Sequence, residues 1–104
     1  MAVTLPFRRI EPFGVEIDFD LSQPLAPSLA YHFGELLREH AVLVGADQAL
    51  SEEVLRGLCA MRPGTLAQAV PGGTIRFTRE DGDVLERAWR AGDVVFWDEA
   101  QVRR

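Results

Sequence analysis

The alternation of apolar and polar residues predicts that the second half of the chain is rich in β-structure. Residues 74–78 and 84–89 each alternate with a period of two, which is typical of a strand with one buried face. Asp81–Gly82 lies between these segments and favours a β-hairpin turn. Residues 66–70 are a further candidate strand, and the apolar run 94–96 is typical of a short strand buried on both faces. The pattern therefore predicts a hairpin followed by a buried strand.

Apolar residues at helical spacing predict two helices in the first half. From Pro27 to about His40 they recur at intervals of three and four residues, and proline is typical of the first position of a helix. Ser51 is expected to cap a second helix, whose first turn carries two acids that the helix dipole favours. Pro63–Gly64 should end that helix. Between the helices, residues 41–44 are expected to form a short buried strand.

A third alternating segment, residues 15–20, places acids on one face of a predicted strand. The acids are Glu16, Asp18 and Asp20, and charged residues at every second position usually indicate a face exposed to solvent. If that face instead lines a cleft, Asp18 is the best-placed candidate for an acid or base. Both alternatives remain open from the sequence.

Length, composition and charge limit the class of protein. At 104 residues the chain is expected to be one domain, residues 1–104. Its 47% apolar and 26% charged residues are typical of a soluble globular protein, and no apolar run approaches the roughly 20 residues needed to cross a bilayer. A net charge of −5 disfavours nucleic acid as a partner. We therefore expect neither a membrane nor a nucleic acid partner.

The N-terminus and the cysteine content predict a cytoplasmic location. Residues 1–6 contain no basic leader followed by an apolar stretch, so no secretory signal is expected. Cys59 is the one cysteine, which excludes an internal disulfide and fits a reducing compartment. Its simplest role is that of a small core residue.

Three segments, which together cover about half of the chain, resemble a known family in the family's own order. Residues 10–21 read I-E-P-F-G-V-E-I-D-F-D-L, residues 22–55 include L-L-R-E-H-A-V-L-V-G-A-D-Q, and residues 89–98 read W-R-A-G-D-V-V-F-W-D. They resemble the opening, the first helix with the strand after it, and the late strand of the taurine dioxygenase (TauD/TfdA) family of iron and 2-oxoglutarate dependent oxygenases. The chain departs from the family pattern at Gly45–Ala46, where Phe and Arg are usual, and at Glu99–Ala100, which replace Asn and Arg.

The resemblance implies an iron centre whose ligands this chain does not supply. In the family, two histidines and one carboxylate hold Fe(II), and the first two ligands form an H-x-D or H-x-E motif. The interval from Cys59 to Ala88 should carry that motif but contains no histidine. The last histidine should lie seven residues beyond Trp97, where this chain has Arg104. We therefore expect no metal and no cofactor, and we exclude a working Fe(II)/2-oxoglutarate dioxygenase.

The fold class that the resemblance implies is α+β. We expect a shortened double-stranded β-helix, that is, a partial jelly roll that lacks the central metal-binding region, with two helices packed on one side. Removing the middle of a jelly roll leaves strand edges without neighbours, and such edges invite pairing with another chain. A homodimer is therefore expected.

Two functional hypotheses remain, and the sequence hardly separates them. The first, slightly favoured, is a cofactor-independent isomerase, cyclase or lyase that acts on a small organic molecule in a cavity inherited from the oxygenase. The alternative is a non-catalytic module that binds a small ligand or a partner protein. For the enzyme, the candidate acids or bases are Asp98, Glu99 and Asp18. The candidate ligand-binding residues are Arg76, Arg90 and Arg103 for an anionic group, and Trp97 and Trp89 for an aromatic wall.

The most specific prediction concerns the side chains of Trp97 and Asp98. Successive residues of a strand point to opposite faces of a sheet. If a cavity survives, Asp98 should therefore face it while Trp97 packs in the core. The simpler alternatives are that both tryptophans only fill the core and that Asp98 and Glu99 lie in a solvated loop.

Overall fold

The computed structural model describes residues 5–48, 50–70 and 72–104. The described residues form two helices and eight strands, in the order β1 (Phe7–Arg9), β2 (Val15–Ile17), α1 (Pro27–His40), β3 (Val42–Gly45), α2 (Glu52–Ala60), β4 (Thr65–Ala69), β5 (Gly73–Arg79), β6 (Val84–Trp89), β7 (Val94–Asp98) and β8 (Val102–Arg103). The predicted α+β class is confirmed.

The strands form two sheets. One sheet has five strands in the order β1-β2-β3-β7-β4, in which β2 and β3 are parallel and the other neighbours antiparallel. The other sheet has three antiparallel strands in the order β6-β5-β8. The late strand β7 therefore lies inside the larger sheet, between β3 and β4.

Both helices contribute to a hydrophobic core on one face of the five-stranded sheet. The apolar stripe of α1 is buried as predicted, and the ring of Phe33 packs edge-on against Phe96 of β7 with 5.2 Å between centroids. Leu58 of α2 joins the same core, which also contains Val15 and Val94 from the sheet. None of the helices in the described part of the chain is long and apolar enough to cross a membrane.

A second hydrophobic core fills the space between the two sheets. Val95 and Trp97 of β7 enter this core, and the Trp97 ring lies 5.4 Å from the ring of Phe77 on β5. Val94 and Phe96 alternate with them and face the helices instead. Strand β7 is therefore buried on both faces, as its short apolar run predicts.

The predicted turn and cap are also confirmed. The chain turns at Asp81–Gly82, where the Arg79 amide donates to the Asp83 carbonyl over 2.9 Å and Gly82 has a φ of 96° that favours glycine. At the start of α2, the Ser51 hydroxyl accepts a hydrogen bond from the Val54 amide over 3.2 Å. Such a cap satisfies one of the free amide groups in the first turn.

Strand β2 is shorter than the alternation predicts. The pattern continues to Asp20, but the strand ends at Ile17. Beyond it, the Asp18 amide donates to the Pro6 carbonyl, and the Leu21 amide donates to the Gln48 side chain. The first of these bonds continues the β1–β2 register by one position, and the second holds the chain to the Gln48 side chain after it has left the sheet.

Candidate functional site

Asp98 lies at the end of β7 in a closed polar cluster. The residue is 3% exposed. Its Oδ2 accepts hydrogen bonds from Arg62 Nη1 at 2.9 Å and from Gln101 Nε2 at 2.8 Å. Its Oδ1 accepts a third from the Ala100 amide at 3.0 Å. Both carboxylate oxygens are therefore engaged by groups of this chain.

The partners of Asp98 connect β7 to both helices. Arg62 follows the C-terminal end of α2. The Gln101 amide also donates to the carbonyls of Leu37 and Arg38 in the last turn of α1, over 3.3 and 3.0 Å. The last carbonyls of a helix have no partner within it, so a side-chain donor satisfies them. The Asp98 cluster therefore holds the strand to the C-terminal ends of α1 and α2.

The charge of Asp98 is stabilised. Burial by itself would raise the pKa of its carboxyl, but the Gln101 and Ala100 hydrogen bonds and the positive charge of Arg62 outweigh it. The net pKa is lowered from the ordinary value of 3.8. Asp98 is therefore a weaker base than a solvated aspartate, and it stays ionised at neutral pH.

One buried polar atom lies next to this cluster. Thr65 is directly opposite Asp98 in the β4–β7 ladder, and it is buried. Among the described residues its Oγ1 has no hydrogen-bond partner. The sequence predicts neither this position nor the roles of Arg62 and Gln101, because the pairing depends on which strand lies beside β7.

The two tryptophans lie in the core between the sheets. Trp97 is 8% and Trp89 4% exposed. The Trp89 indole N–H lies 3.5 Å from the Ile75 carbonyl, and the guanidinium of Arg87 covers its ring at 4.8 Å from the centroid. Neither tryptophan lines the clefts described next, and their placement corresponds to the core alternative.

Glu99 and Arg103 share a surface cleft of about 420 Å³ beside β8. Thr78 and Arg79 of β5 line its other wall. Both Glu99 and Arg103 are exposed. The cleft therefore brings one candidate acid and one candidate ligand-binding arginine together at the surface.

Arg90 lines a second cleft, of about 500 Å³, where the edges of the two sheets meet. Glu16 occupies this cleft with an arginine on each side, at 2.5 Å from Arg8 and 3.8 Å from Arg87. Asp93 at its base is buried and accepts hydrogen bonds from the backbone amide of Arg90 and from that of Asp47. Glu16 is thus paired with arginines of the same chain, and backbone amides hold the carboxylate of Asp93.

The remaining candidates lie elsewhere. Asp18 is exposed and lines a third cleft with Phe7 of the edge strand β1. Arg76 is exposed on β5 and donates to Glu86 of β6 over 2.7 Å. The structure therefore distributes the sequence candidates over the polar cluster of Asp98, three clefts, one outer sheet surface and the core between the sheets, and it does not bring them into one site. The catalytic and binding roles of these residues stay predictions.

The described residues do not fit the facial triad of the oxygenases. His32 and His40 both lie on α1, eight residues apart, which separates them by about 12 Å along the helix axis. His32 Nδ1 already accepts a hydrogen bond from the Leu5 amide at 2.8 Å. Arg104 donates to the Gln68 side chain. Over residues 5–48, 50–70 and 72–104, no three side chains of His, Cys, Asp or Glu are grouped so that they could hold a metal ion.

Solved structures of dioxygenases share this fold. AAD-2, in complex with Mn(II) and N-oxalylglycine, matches with a TM-score of 0.75 and 14% identity over 98% of this chain and 92% of that chain. A taurine dioxygenase from Burkholderia xenovorans matches with a TM-score of 0.70 and 13% identity over 94% of this chain and 82% of that chain. A second taurine dioxygenase from the same organism, described as alpha-ketoglutarate-dependent, matches with a TM-score of 0.71 and 12% identity over 94% of this chain and 84% of that chain. The resemblance seen in the sequence is therefore confirmed at the level of the fold.

Sequence comparisons do not extend this likeness. No family model matches the chain, and no curated protein matches it. At identities of 12–14% the similarity establishes the fold alone.

Proposed function

We propose that this chain is a non-catalytic interaction module built on a dioxygenase-like fold. The observation that carries the proposal is the closed environment of Asp98, the buried acid that follows the late strand. Three donors occupy its two oxygens, and its pKa is lowered. A general base works best when its pKa lies near the operating pH. Asp98 is therefore better suited to holding β7 against the helices than to accepting a proton.

The space between the sheets supports the same conclusion. Ligand sites are usually concave, with an apolar lining and a few converging polar groups. Here the inter-sheet space is occupied by large buried side chains, among them Phe77, Trp89 and Trp97. In a small domain such residues stabilise the fold by burying apolar surface. Because these side chains fill the space between the sheets, a partner would bind to the outer surface of the module.

The proposal includes a more specific description of the fold. We take the two facing sheets as a shortened double-stranded β-helix whose free edges are the surfaces available to a partner. Burial raises the pKa of the Cys59 thiol, which favours its protonated form at neutral pH. A cytoplasmic location is part of the same proposal.

The proposal is tested by comparing small-molecule binding with self-association. Thermal melts are recorded with a panel of small carboxylic acids, and with Mn(II) plus N-oxalylglycine as the specific probe of the oxygenase site. The module is expected to melt at the same temperature with each of them. Sedimentation over roughly 1–100 µM protein tests association, which mass action makes concentration-dependent. Saturable stabilisation by one of the acids, lost in Asp98→Asn while the variant stays folded, would overturn the proposal in favour of a small-molecule site built on Asp98, which is the premise of the cofactor-independent enzyme.

A further inference from the structure

Three basic side chains from distant parts of the chain line one small cleft. Arg9 is the last residue of β1, His40 the last of α1 and Arg79 the last of β5. The cleft has a volume of about 200 Å³, and Phe13 and Gly14 belong to its wall. Pockets for drug-sized molecules usually measure about 300–1,000 Å³. This cleft is therefore of a size that suits an ion or a single charged group.

Packing against aromatic rings orients the three basic side chains. Phe7 and Arg9 are two residues apart in β1, so their side chains share a face of the strand. The ring of Phe7 lies 6.2 Å from the ring of His40, between centroids, and Arg9 therefore leaves β1 on the side where His40 lies. The guanidinium of Arg79 lies over the ring of Phe13, at 5.1 Å from the centroid. A guanidinium stacked in this way keeps the N–H donors at its edge.

The two arginines keep their charges available. In the part of the chain that the structure describes, no acidic side chain forms an ion pair with Arg9 or Arg79. Where the edges of the two sheets meet, by contrast, Glu16 is paired with Arg8 and Arg87. A guanidinium has five N–H donors and can hold an oxyanion with two of them at once. Two such groups beside one cleft therefore offer several donors to an anion.

We propose that this cleft binds a doubly charged oxyanion, that is, a phosphate or sulfate group. The two arginines donate to its oxygens, and protonated His40 adds a third positive donor. Donors that come from three different elements favour a tetrahedral anion, whose oxygens point in several directions, over a planar carboxylate with two oxygens. The site goes beyond the module proposed above, because its chemistry is the same for a free anion and for a phosphate group on a partner.

Binding should be coupled to the protonation of His40. Burial lowers the pKa of this imidazole, Arg9 and Arg79 lower it further, and Glu39 opposes them. Glu11 is the other charged residue in the wall of the cleft. A bound anion favours the protonated imidazole. Anion affinity should therefore rise as the pH falls through the His40 pKa, and by linkage the anion should raise that pKa.

Two acids oppose the site and supply a test of opposite sign. Glu39 lies 3.8 Å from His40 Nε2, but it also lies 3.5 Å from the guanidinium of Arg38. Glu11 is exposed, and no described basic side chain forms an ion pair with it. Removing the charge of Glu11 in Glu11→Gln should therefore tighten anion binding.

Sulfate titrations followed by NMR test the site and its coupling to protonation. Sulfate keeps both charges over the range of about pH 5 to 8 in which histidine titrates. Sodium chloride holds the ionic strength constant, so that general screening does not change. We expect saturable binding that is about fivefold or more tighter at the acid end of this range, and a His40 pKa that rises with sulfate. His32 is the internal control, and its titration should not change.

Charge-removing variants locate the binding site. Arg9→Gln and Arg79→Gln should each weaken sulfate binding by about threefold or more, because each removes a charged donor. Arg9→Lys keeps the charge but not the planar fork, and its affinity should lie between those of Arg9→Gln and wild type. Arg56→Gln is the matched control. Arg56 is exposed on α2 and is not among the residues that line the cleft, so this variant should bind sulfate like wild type. Circular dichroism confirms that each variant is folded.

Phosphate ligands separate the two sources of the group. Inorganic phosphate is compared with a short peptide that contains one phosphoserine and with its unphosphorylated form. Tighter binding of the phosphopeptide than of inorganic phosphate supports a group carried by a partner, and the reverse order supports a free anion. Equal binding of the two peptides would overturn the oxyanion as the recognised group.

The outcomes separate this inference from the proposed function. Sulfate stabilises proteins in general because it is excluded from their surface, so a rise in melting temperature alone is no evidence for the site. A His40 pKa that stays constant as sulfate is added, or equal effects of Arg9→Gln and Arg56→Gln, would overturn the anion site. Neither result bears on the module, which the melts with small carboxylic acids and with Asp98→Asn test independently.

Discussion

Trp97 and Asp98 are neighbours in β7, yet their side chains leave opposite faces of the five-stranded sheet. The Trp97 ring packs 5.4 Å from Phe77 between the two sheets. The Asp98 carboxylate lies on the helix side, 2.9 Å from the Arg62 guanidinium. One strand therefore connects both hydrophobic cores, and each residue stabilises a different layer.

Trp97→Ala should reduce the free energy of unfolding by about 3–5 kcal/mol, because truncating a large buried aromatic leaves a cavity. Urea denaturation measures the change. Tyr31→Ala is the control, since Tyr31 is 72% exposed on α1 and its truncation should cost about 0.5 kcal/mol or less. Equal losses in the two variants would contradict the burial of Trp97.

Asp98→Asn should reduce the free energy of unfolding by about 1–3 kcal/mol, because it leaves the Arg62 and Gln101 donors without a charged acceptor. The sequence alone predicts a loss of no more than about 1 kcal/mol, as for residues away from packed sites. The structure changes that expectation because Asp98 is buried and hydrogen-bonded. Asp18→Asn, at an exposed position, is the matched control and should be neutral.

A double-mutant cycle isolates the contribution of the ion pair. Arg62→Met removes the guanidinium while keeping an apolar side chain of similar length. If the pair contributes, the effect of Asp98→Asn should shrink in the Arg62→Met background, since the two residues are in direct contact. Strictly additive losses would show that Gln101 and the Ala100 amide account for the whole effect.

Acid should remove the stability that Asp98 contributes. Its folded-state pKa lies below the ordinary value of 3.8, so the folded state binds fewer protons than the unfolded state. The contribution is therefore complete above pH 3.8 and is lost as the pH falls through the folded-state pKa. Urea midpoints of wild type and Asp98→Asn should differ at pH 7 and converge in strong acid. A difference that persists there would mean that packing, not charge, separates them.

Protonation of His40 should cause a second loss of stability on acidification, at a higher pH than the loss due to Asp98. Burial lowers the pKa of its imidazole from the ordinary 6.5, and Arg9 and Arg79 lower it further, against the opposing effect of Glu39. Its contribution is complete above pH 6.5 and is lost as the pH falls through the folded-state pKa. His40→Gln should therefore make the free energy of unfolding less dependent on pH just below pH 6.5. Tyr31→Gln, on the exposed side of the same helix, should keep the wild-type pH dependence.

Purified protein should hold no stoichiometric iron and should not consume 2-oxoglutarate, because its histidines lie about 12 Å apart along one helix. Elemental analysis after incubation with Fe(II) and 2-oxoglutarate measures the metal content, and succinate release measures turnover. One iron per chain, lost in His32→Ala or His40→Ala, would contradict the geometry described for α1.

Much of the fold can be predicted from the sequence, because its evidence is local. The apolar stripe of α1, the Ser51 cap, the Asp81–Gly82 turn and the apolar run of β7 each depend on residues within a few positions of one another. Alternation along β7 likewise predicts that Trp97 and Asp98 face opposite ways. The extent of β2 is not predictable in this manner, because beyond Ile17 the Leu21 amide donates to the side chain of Gln48, 27 residues later in the chain.

Only the tertiary structure decided what each candidate residue contacts. Asp98 meets Arg62, 36 residues earlier, and the Gln101 amide reaches back 64 residues to Leu37. Glu16 is brought to Arg87 because two sheets meet at their edges. Likewise, β4 becomes a free edge only because the order of the sheet places β7 on one side of it. The sequence by itself determined the segments and the burial of their apolar faces, since periodicity is a property of neighbouring residues. The surroundings of each charge depend on packing between segments that are distant in the chain, and no local pattern encodes them.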